Sequence, residues 1–482
     1  MLVKRDPGTF QSYLEDSSNL KGGHAEKVFI PETSAEAASI LRDANSKKTA
    51  VTISGAGTGQ AGARIPFGGI ILSTEKLNLI KEIIPYAKDS CGGTVLVEPG
   101  VLIKDLKASC KKKGLFYPYD PTEQTAFVGG TIATNAAGAR SFRYGSTRKH
   151  VRRLEVILAD GSILSVKRGD VRAKGRLLEF DAGGKGYKIK IPSYKMPRTK
   201  NSAGYYAEDN MDLVDLFIGQ EGTLGIITEA ELALQKKPQG LFSCFAFFAN
   251  EALAWNFAQN GQRAKPLSIE YFDNNCLKLL KEISPNVPAG KKAAIFFEDE
   301  VRQDEDAVIE KWEKLLAGDN VSLDDTWVAM NEKAQQEFLD KRHYFGEQMG
   351  EMAKKSGFAK VHTDLAVPPE KSLEMMQFYK DKLDKSGLLH FAFGHIGDAH
   401  LHVNILPSEK VTYEKARAFE LEFVKKSISL GGTVSAEHGI GKTKREFLKL
   451  LYGEGGVREM FEVKKVLDPN LILGRGNIFD FL

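Results

Sequence analysis

Apolar residues follow two periods along this chain. After Thr33 and Glu36, which pair as a capping box, Ala37, Ile40, Leu41 and Ala44 recur at helical spacing and predict an amphipathic helix. TAVTIS, just beyond, predicts a short strand, and GGIILST a second. Residues 101–113 predict a helix stopped at Gly114. RRLEVILADGSILSV predicts a hairpin, with Leu154, Val156 and Leu158 alternating before an Asp160-Gly161 turn and apolar positions resuming at Ile163. Residues 167–198 are charged and glycine-rich, and are expected to be irregular.

Lys236-Lys237-Pro238 predicts a linker, after which the pattern becomes strand, helix, strand. LFSCFAFFA, PLSIEYF and KKAAIFFE are the strands, with one helix running to about Gln262, another following PLSIEYF, and an amphipathic helix through Trp312. That spacing is compatible with a parallel sheet. LLHFAFGHIGDAHLHVNILP predicts two strands around a tight turn at Gly394 and Gly397-Asp398. In the second strand Leu401, Val403 and Ile405 alternate with His400, His402 and Asn404, so the three polar side chains share one face. No internal repeat is evident.

At 482 residues the chain is too long for one core, and two or three domains are expected. A formal net charge of +4 gives no argument for a nucleic-acid partner. The four cysteines form no CxxC pair, which argues against an iron–sulfur cluster, a zinc ribbon or a disulfide framework. MLVKRDPGTF lacks an apolar leader core and no later segment holds 18 uninterrupted apolar residues, so a cytoplasmic protein is expected, with peripheral contact at the inner membrane face left open.

Candidate chemistry concentrates in three places. Residues 121–151 pack small side chains densely, at Gly129, Gly130, Ala133, Ala136, Ala137, Gly138 and Ala139, interleaved with Thr131, Thr134 and Asn135 and followed by Arg140, Arg143 and Arg148. Such a run lets backbone N–H groups approach a ligand closely. SGAGTGQAG at 54–62 follows a strand, but Pro66, Gly68 and Gly69 come next instead of a helix, so a nest of amides is expected there rather than a Rossmann turn. Six of the nine histidines fall between His362 and His438. With His395, just before the turn, folded back toward the face of His400, His402 and Asn404, three imidazoles and an amide there are costly to bury alone, and a cation or a polar substrate would resolve this. SAEHGIGKTK adds a carboxylate and another imidazole, and two His with one Glu make an open three-ligand site.

These segments resemble, in order, the motifs of the FAD-linked 2-hydroxy-acid dehydrogenases, the family of D-lactate dehydrogenase, the glycolate oxidase flavoprotein subunit and D-2-hydroxyglutarate dehydrogenase, within the vanillyl-alcohol-oxidase type of flavoprotein. The resemblance implies an α+β fold of two domains: an FAD-binding domain over 1–237 and a substrate domain over 238–450 with a ferredoxin-like antiparallel sheet and helices on one face. Residues 451–482, with a KKVLDPNLILGRGNIF tail like the family's ending, would return to the flavin domain. FAD would lie on Ser54, Gly55, Ala56, Gly57, Thr58, Gly59 and Gln60 of the first loop, and on Pro121, Thr122, Gly129, Gly130, Thr131, Thr134, Asn135 and Gly138 of the second segment. LFIGQEGTLGIITEAEL resembles the EGTLGI block along the adenine side, which implicates Glu221, Gly222, Gly225, Ile226 and Ile227.

GHIGDAHLH resembles the family's GHxGDGNLH and SAEHGIG its SGEHGIG. The resemblance makes His395, His402 and Glu437 ligands of a divalent metal, zinc first, with manganese or iron admitted. It makes His438 the catalytic base and places Asn404 near the substrate oxygens. Arg342 stands where an arginine for the substrate carboxylate is expected. His362 replaces a lysine found two residues before the Asp in D-2-hydroxyglutarate dehydrogenase, which argues against a second substrate carboxylate. The chain departs from the family at Ala399 and His400, which stand for Gly and Asn. The implied activity is oxidation of a small D-2-hydroxy acid, D-lactate-like, with electrons passed to an acceptor such as a quinone, an electron-transfer flavoprotein, a cytochrome or oxygen. A homodimer is left open. The alternatives are a metal-free flavoenzyme of the same fold acting on another alcohol or an ether-lipid precursor, a zinc hydrolase, and a flavin subunit that only relays electrons.

Overall fold

The computed structural model describes residues 1–86, 92–119, 121, 123–301 and 304–480. Thr122 therefore lies outside the described residues.

The first sheet runs Leu2–Lys4, Lys27–Ile30, Ile70–Ser73, Val51–Ser54, antiparallel at the first pair and parallel thereafter. Helix Ser34–Ser46 packs Ala37, Ile40, Leu41 and Ala44 against Val51, Ile70 and Leu72. Thr33 caps it by accepting from the Glu36 amide, but the Glu36 carboxylate reaches the Glu32 amide (2.8 Å), one residue before the expected partner. The C-terminal segment joins this sheet: Val51 N–H donates to Ile472 O (2.7 Å) and Gly474 N–H donates to Val51 O (2.9 Å).

The second sheet is antiparallel in the order Ile80–Pro85, Gly93–Val97, Ile226–Lys236, Val151–Ile157, Ile163–Lys167. Its central strand, Ile226–Lys236, begins at the end of the EGTLGI block, so that block is seated on a deeply buried strand of the domain. The stretch 167–198 is not irregular throughout, because Leu177–Ala182 and Lys185–Lys190 form a hairpin. Leu178, Phe180, Ala182, Tyr187 and Ile189 face the core and the intervening charges face solvent. The Gly183-Gly184 turn has both φ angles positive, as a two-residue hairpin turn requires. The density of charge on the outer face hides this alternation in the sequence.

The third sheet is antiparallel in the order Thr326–Ala329, Gly240–Phe248, Ala293–Val301, Ser268–Phe272, His390–Gly394, His400–Ile405, Val361–His362. The parallel alternative is thereby excluded. Helices cover both faces rather than the one expected. Phe242, Cys244, Ala246 and Phe248 pack with Trp255, Phe257 and Trp312 from helices Glu251–Gln262 and Glu305–Gly318. Phe245 and Phe247 of the same strand pack with Leu277, Leu280, Phe338 and Phe345 from helices Asn274–Ile283 and Glu332–Ser356. A strand buried on both faces is apolar at successive positions, and this explains LFSCFAFF, interrupted only by Ser243. Among the described residues no helix is long and apolar enough to cross a membrane.

Candidate active site

A cleft between the flavin-side sheets and the third sheet gathers the segments singled out above. Its wall includes residues 55–60 of the first glycine loop, Pro121, Gly129, Gly130, Thr131, Thr134 and Gly138, and Glu221, Gly222, Gly225, Ile226 and Ile227. His362, His395, His402, Asn404, Glu437, His438 and Arg342 line the same space from the other side. Ser54 and Asn135 do not. Ser54 is fully buried beneath the loop, and Asn135 spends its amide on the chain itself, donating to Asn201 O (3.1 Å) and accepting from Arg148 N (3.0 Å). The hydroxyls of Thr131 and Thr134 donate to Val128 O and Gly130 O, so what these residues present to the cleft is their small size. Arg140 forks onto Glu298 (2.9 and 3.1 Å) and Arg148 meets Asp215 (3.1 Å), so both guanidiniums pair with protein carboxylates.

The glycine loop fits a flavin cradle on two counts. Gly57 has φ +87°, and a Cβ there would fall 2.0 Å from Arg64 Nη1, so the loop accepts only glycine at this point. Gly130 is exposed on the cleft wall, and a Cβ added to it would meet nothing within 4 Å, which leaves its backbone open to a ligand. A side chain at Gly130 would project into that space. Gly130→Leu is expected to weaken FAD retention about 10-fold to 100-fold, the equivalent of roughly 1–3 kcal/mol of overpacking. The ratio of flavin to protein absorbance after desalting reads this, with the circular dichroism spectrum unchanged.

Glu221 lines the cleft through its backbone while its buried carboxylate accepts from Ile440 N (2.8 Å) and Gly441 N (2.7 Å). Burial pushes its pKa up to about 7, against those two amides. It thus ties the EGTLGI block to the SAEHGIG turn, a role its sequence neighbourhood did not suggest. Asp364 fastens the same turn from the third-sheet side. It accepts from Glu437 N (3.1 Å), His438 N (3.0 Å), Ser435 Oγ (2.6 Å) and Lys444 Nζ (2.7 Å). Burial opposes its charge, yet His438 and Lys444 hold the carboxyl well below the usual carboxylate range.

His438 lies between the two halves of the site. Its Nδ1 is 3.5 Å from Asp364 Oδ2, its Nε2 is 3.4 Å from Gln60 Nε2 of the glycine loop, and its ring stacks on His402 with 5.5 Å between centroids. Burial draws its pKa down to about 4, so at neutral pH the imidazole is uncharged and free to accept a proton. His362 lies 5.8 Å from it, ring to ring, and burial holds His362 neutral too.

The metal-ligand set is also brought together. His395, His402 and Glu437 offer donor atoms that, with one from His400, lie within 4.8 Å of one another. Burial draws His402 down to about 3, leaving a neutral imidazole. His395 behaves oppositely: burial disfavours its charge, but Glu270 at 2.7 Å from Nδ1 raises it to about 9. Glu270 is itself drawn down to about 2, since His395 and Arg342 (Nε to Oε2, 3.0 Å) outweigh its burial. Arg342 is thus anchored by a buried carboxylate at the cleft wall. Lys200 Nζ touches Glu437 Oε1 and is 3.4 Å from Asp398 Oδ2, and none of the three atoms has a partner in hydrogen-bonding geometry. An ammonium pressed onto unsatisfied carboxylate oxygens marks a site that accepts positive charge, and the donor set suits a divalent ion.

Sequence reasoning missed Glu270, Asp364 as a hub, Lys200 and Lys360. Glu270 and Lys200 are lone charged residues far in sequence from the histidines, with no spacing that signals them. Ala399 carries a strain absent when glycine stands there, with φ +51° just before His400.

Comparison with known proteins agrees with this geometry. Residues 25–167 match the FAD binding domain family and residues 237–478 match the C-terminal domain family of FAD linked oxidases. The glycolate oxidase subunit GlcD of Bacillus subtilis is 29% identical over 97% of this chain and 92% of its own. A D-lactate dehydrogenase of Archaeoglobus fulgidus is 29% identical over 94% and 90%. A probable mitochondrial D-2-hydroxyglutarate dehydrogenase of Oryza sativa subsp. japonica is 30% identical over 94% and 74%. The solved structure of an alkyldihydroxyacetonephosphate synthase superposes with a TM-score of 0.66 at 14% identity, over 98% of this chain and 82% of that one, which shows the shared fold. With both flavin-oxidase domains matched and the cleft built between them, the chain belongs to the FAD-linked oxidase family and is an FAD-dependent oxidoreductase.

Proposed function

We propose that the protein oxidises a small D-2-hydroxy acid to the 2-oxo acid. The observation that carries this is His438: a half-buried imidazole with Nδ1 3.5 Å from Asp364 and Nε2 3.4 Å from Gln60 of the flavin loop, beside the cation-accepting cluster. When bound, FAD supplies a hydride acceptor. A divalent ion held by His395, His402 and Glu437 supplies a Lewis acid that eases loss of the substrate hydroxyl proton. His438 Nε2 takes that proton, and the carboxylate of Asp364 behind Nδ1 stabilises the imidazolium that forms. Arg342, held by Glu270, and Asn404 orient the substrate carboxylate within the cleft. Electrons then pass to a quinone, an electron-transfer flavoprotein, a cytochrome or oxygen, in a cytoplasmic protein with peripheral membrane contact and a homodimer left open.

The names of the relatives support the substrate class, and anaerobic titration tests it. D-lactate should bleach the visible flavin absorption. A retained flavin left oxidised by D-lactate, glycolate, D-malate and D-2-hydroxyglutarate alike would sink the reading.

Lys360 favours a second version. It lines the cleft two residues before His362, half-buried, with its ammonium pKa lowered by burial and no anionic partner among the described residues. A second anionic group on the substrate would satisfy it. Lys360→Leu is then expected to raise KM for D-malate or D-2-hydroxyglutarate about 10-fold to 100-fold, the loss of one charge-assisted hydrogen bond of roughly 1.5–3 kcal/mol. KM for D-lactate should stay nearly unchanged. Equal losses for both substrate types would remove this version and leave the monocarboxylate.

A further inference from the structure

The structure assigns His400 as a fourth protein ligand to the divalent ion, making a three-histidine, one-glutamate site; this rests on the metal reading above. His400 is fully buried at the start of strand His400–Ile405, on the face that also carries His402. Its ring centroid is 4.5 Å from that of His402 and 5.3 Å from that of His395, while those two are 5.4 Å apart, so the three rings form a triangle.

Each ring has the same two-sided environment. One nitrogen faces Glu437: His395 Nε2 at 3.2 Å from Oε1, His400 Nδ1 at 3.9 Å from Oε1, His402 Nε2 at 3.8 Å from Oε2. The other nitrogen faces an oxygen outside the cluster: His395 Nδ1 at Glu270 (2.7 Å), His400 Nε2 at Asp364 (3.3 Å), His402 Nδ1 at Thr363 O (3.4 Å). An imidazole oriented by an outer acceptor with its second nitrogen turned inward is the arrangement of a ligating histidine. Neither ring nitrogen of His400 makes a hydrogen bond among the described residues, the 3.3 Å approach of Nε2 to Asp364 included, and buried ring nitrogens without partners are costly. Coordination through Nδ1 removes part of that cost.

Four protein donors would fill a tetrahedral ion, so this set would favour a metal that takes more than four donors, of the manganese, iron or cobalt class, over zinc.

X-ray absorption of the full-length flavoprotein, reconstituted separately with manganese(II) and zinc(II), counts the imidazoles on the ion. Three are expected, and only two in His400→Asn. That variant should also release the ion to a chelator with at least about 100-fold weaker retention, beyond the roughly 10-fold to 100-fold cost of losing an outer partner. Two imidazoles in the unmodified protein, with retention unaltered in His400→Asn, would overturn the assignment and leave the oxidation reading intact. Failure to take up either ion would overturn it together with the metal reading. Should His400→Asn lose its flavin or its folding transition, the imidazole count in the unmodified protein alone decides.

Discussion

Replacing His438 by alanine should slow reduction of the flavin by a 2-hydroxy acid about 100-fold to 10,000-fold, the range for removal of a positioned general base. FAD itself should be retained, because the backbone amide of residue 438 still donates to Asp364 and the glycine loop keeps its other contacts. Stopped-flow measurement of flavin bleaching separates these effects, since retention is read before substrate is added. Exogenous imidazole should restore part of the rate, as the variant leaves a cavity of that shape between His402 and His362. An unaltered rate would remove His438 as the base and pass that role to another group of the cleft.

Glu437→Gln should have the second large effect, and on two observables. The ion loses the carboxylate ligand of the cluster, so metal content should fall to background and substrate reduction of the flavin should drop by about 1,000-fold, corresponding to several kcal/mol of Lewis-acid assistance. The metal-free protein should also lose about 3 kcal/mol of stability, because removing one partner strands the buried charge of the other. Here the stranded cation is Lys200, whose side chain is buried against Glu437, with Asp398 at 3.4 Å and the charge of Glu270 remaining nearby. Metal analysis and the urea midpoint of chelator-treated protein check the two halves independently. A midpoint equal to that of the parent would mean that Lys200 swings away from Glu437 and that the contact carries no stability.

The histidine strand shows how much of this site was legible in advance. The alternation of His400, His402 and Asn404 with Leu401, Val403 and Ile405 is a local pattern with period two, and the structure keeps it: the apolar three enter the cores and the polar three face the cleft cluster. The glycine-rich segments were equally legible, because a run of small residues has few other uses. Glu270, Asp364 and Lys200 were not marked in this way. Each acts through a single carboxylate or ammonium carried in from a separate element, and a lone charge has no period to betray it. The helices on both faces of the third sheet were hinted at by LFSCFAFF, a run apolar at every position but Ser243, which an open-faced strand would not tolerate. The hairpin over Leu177–Ala182 and Lys185–Lys190 escaped because charge on its outer face masked a regular inner one.

Glu221 has one more consequence, concerning the order in which the chain is made. Its carboxylate is satisfied by amides at Ile440 and Gly441, 219 and 220 residues downstream, and the strand at Val51 is completed by Ile472. During synthesis from the N-terminus, the flavin-side glutamate emerges long before the groups that neutralise its burial, and the first sheet waits still longer for its last neighbour. A nascent chain therefore presents the glycine loops without the turn that closes them. The contacts that join the cradle to the 435–441 turn thus need the chain to be nearly complete.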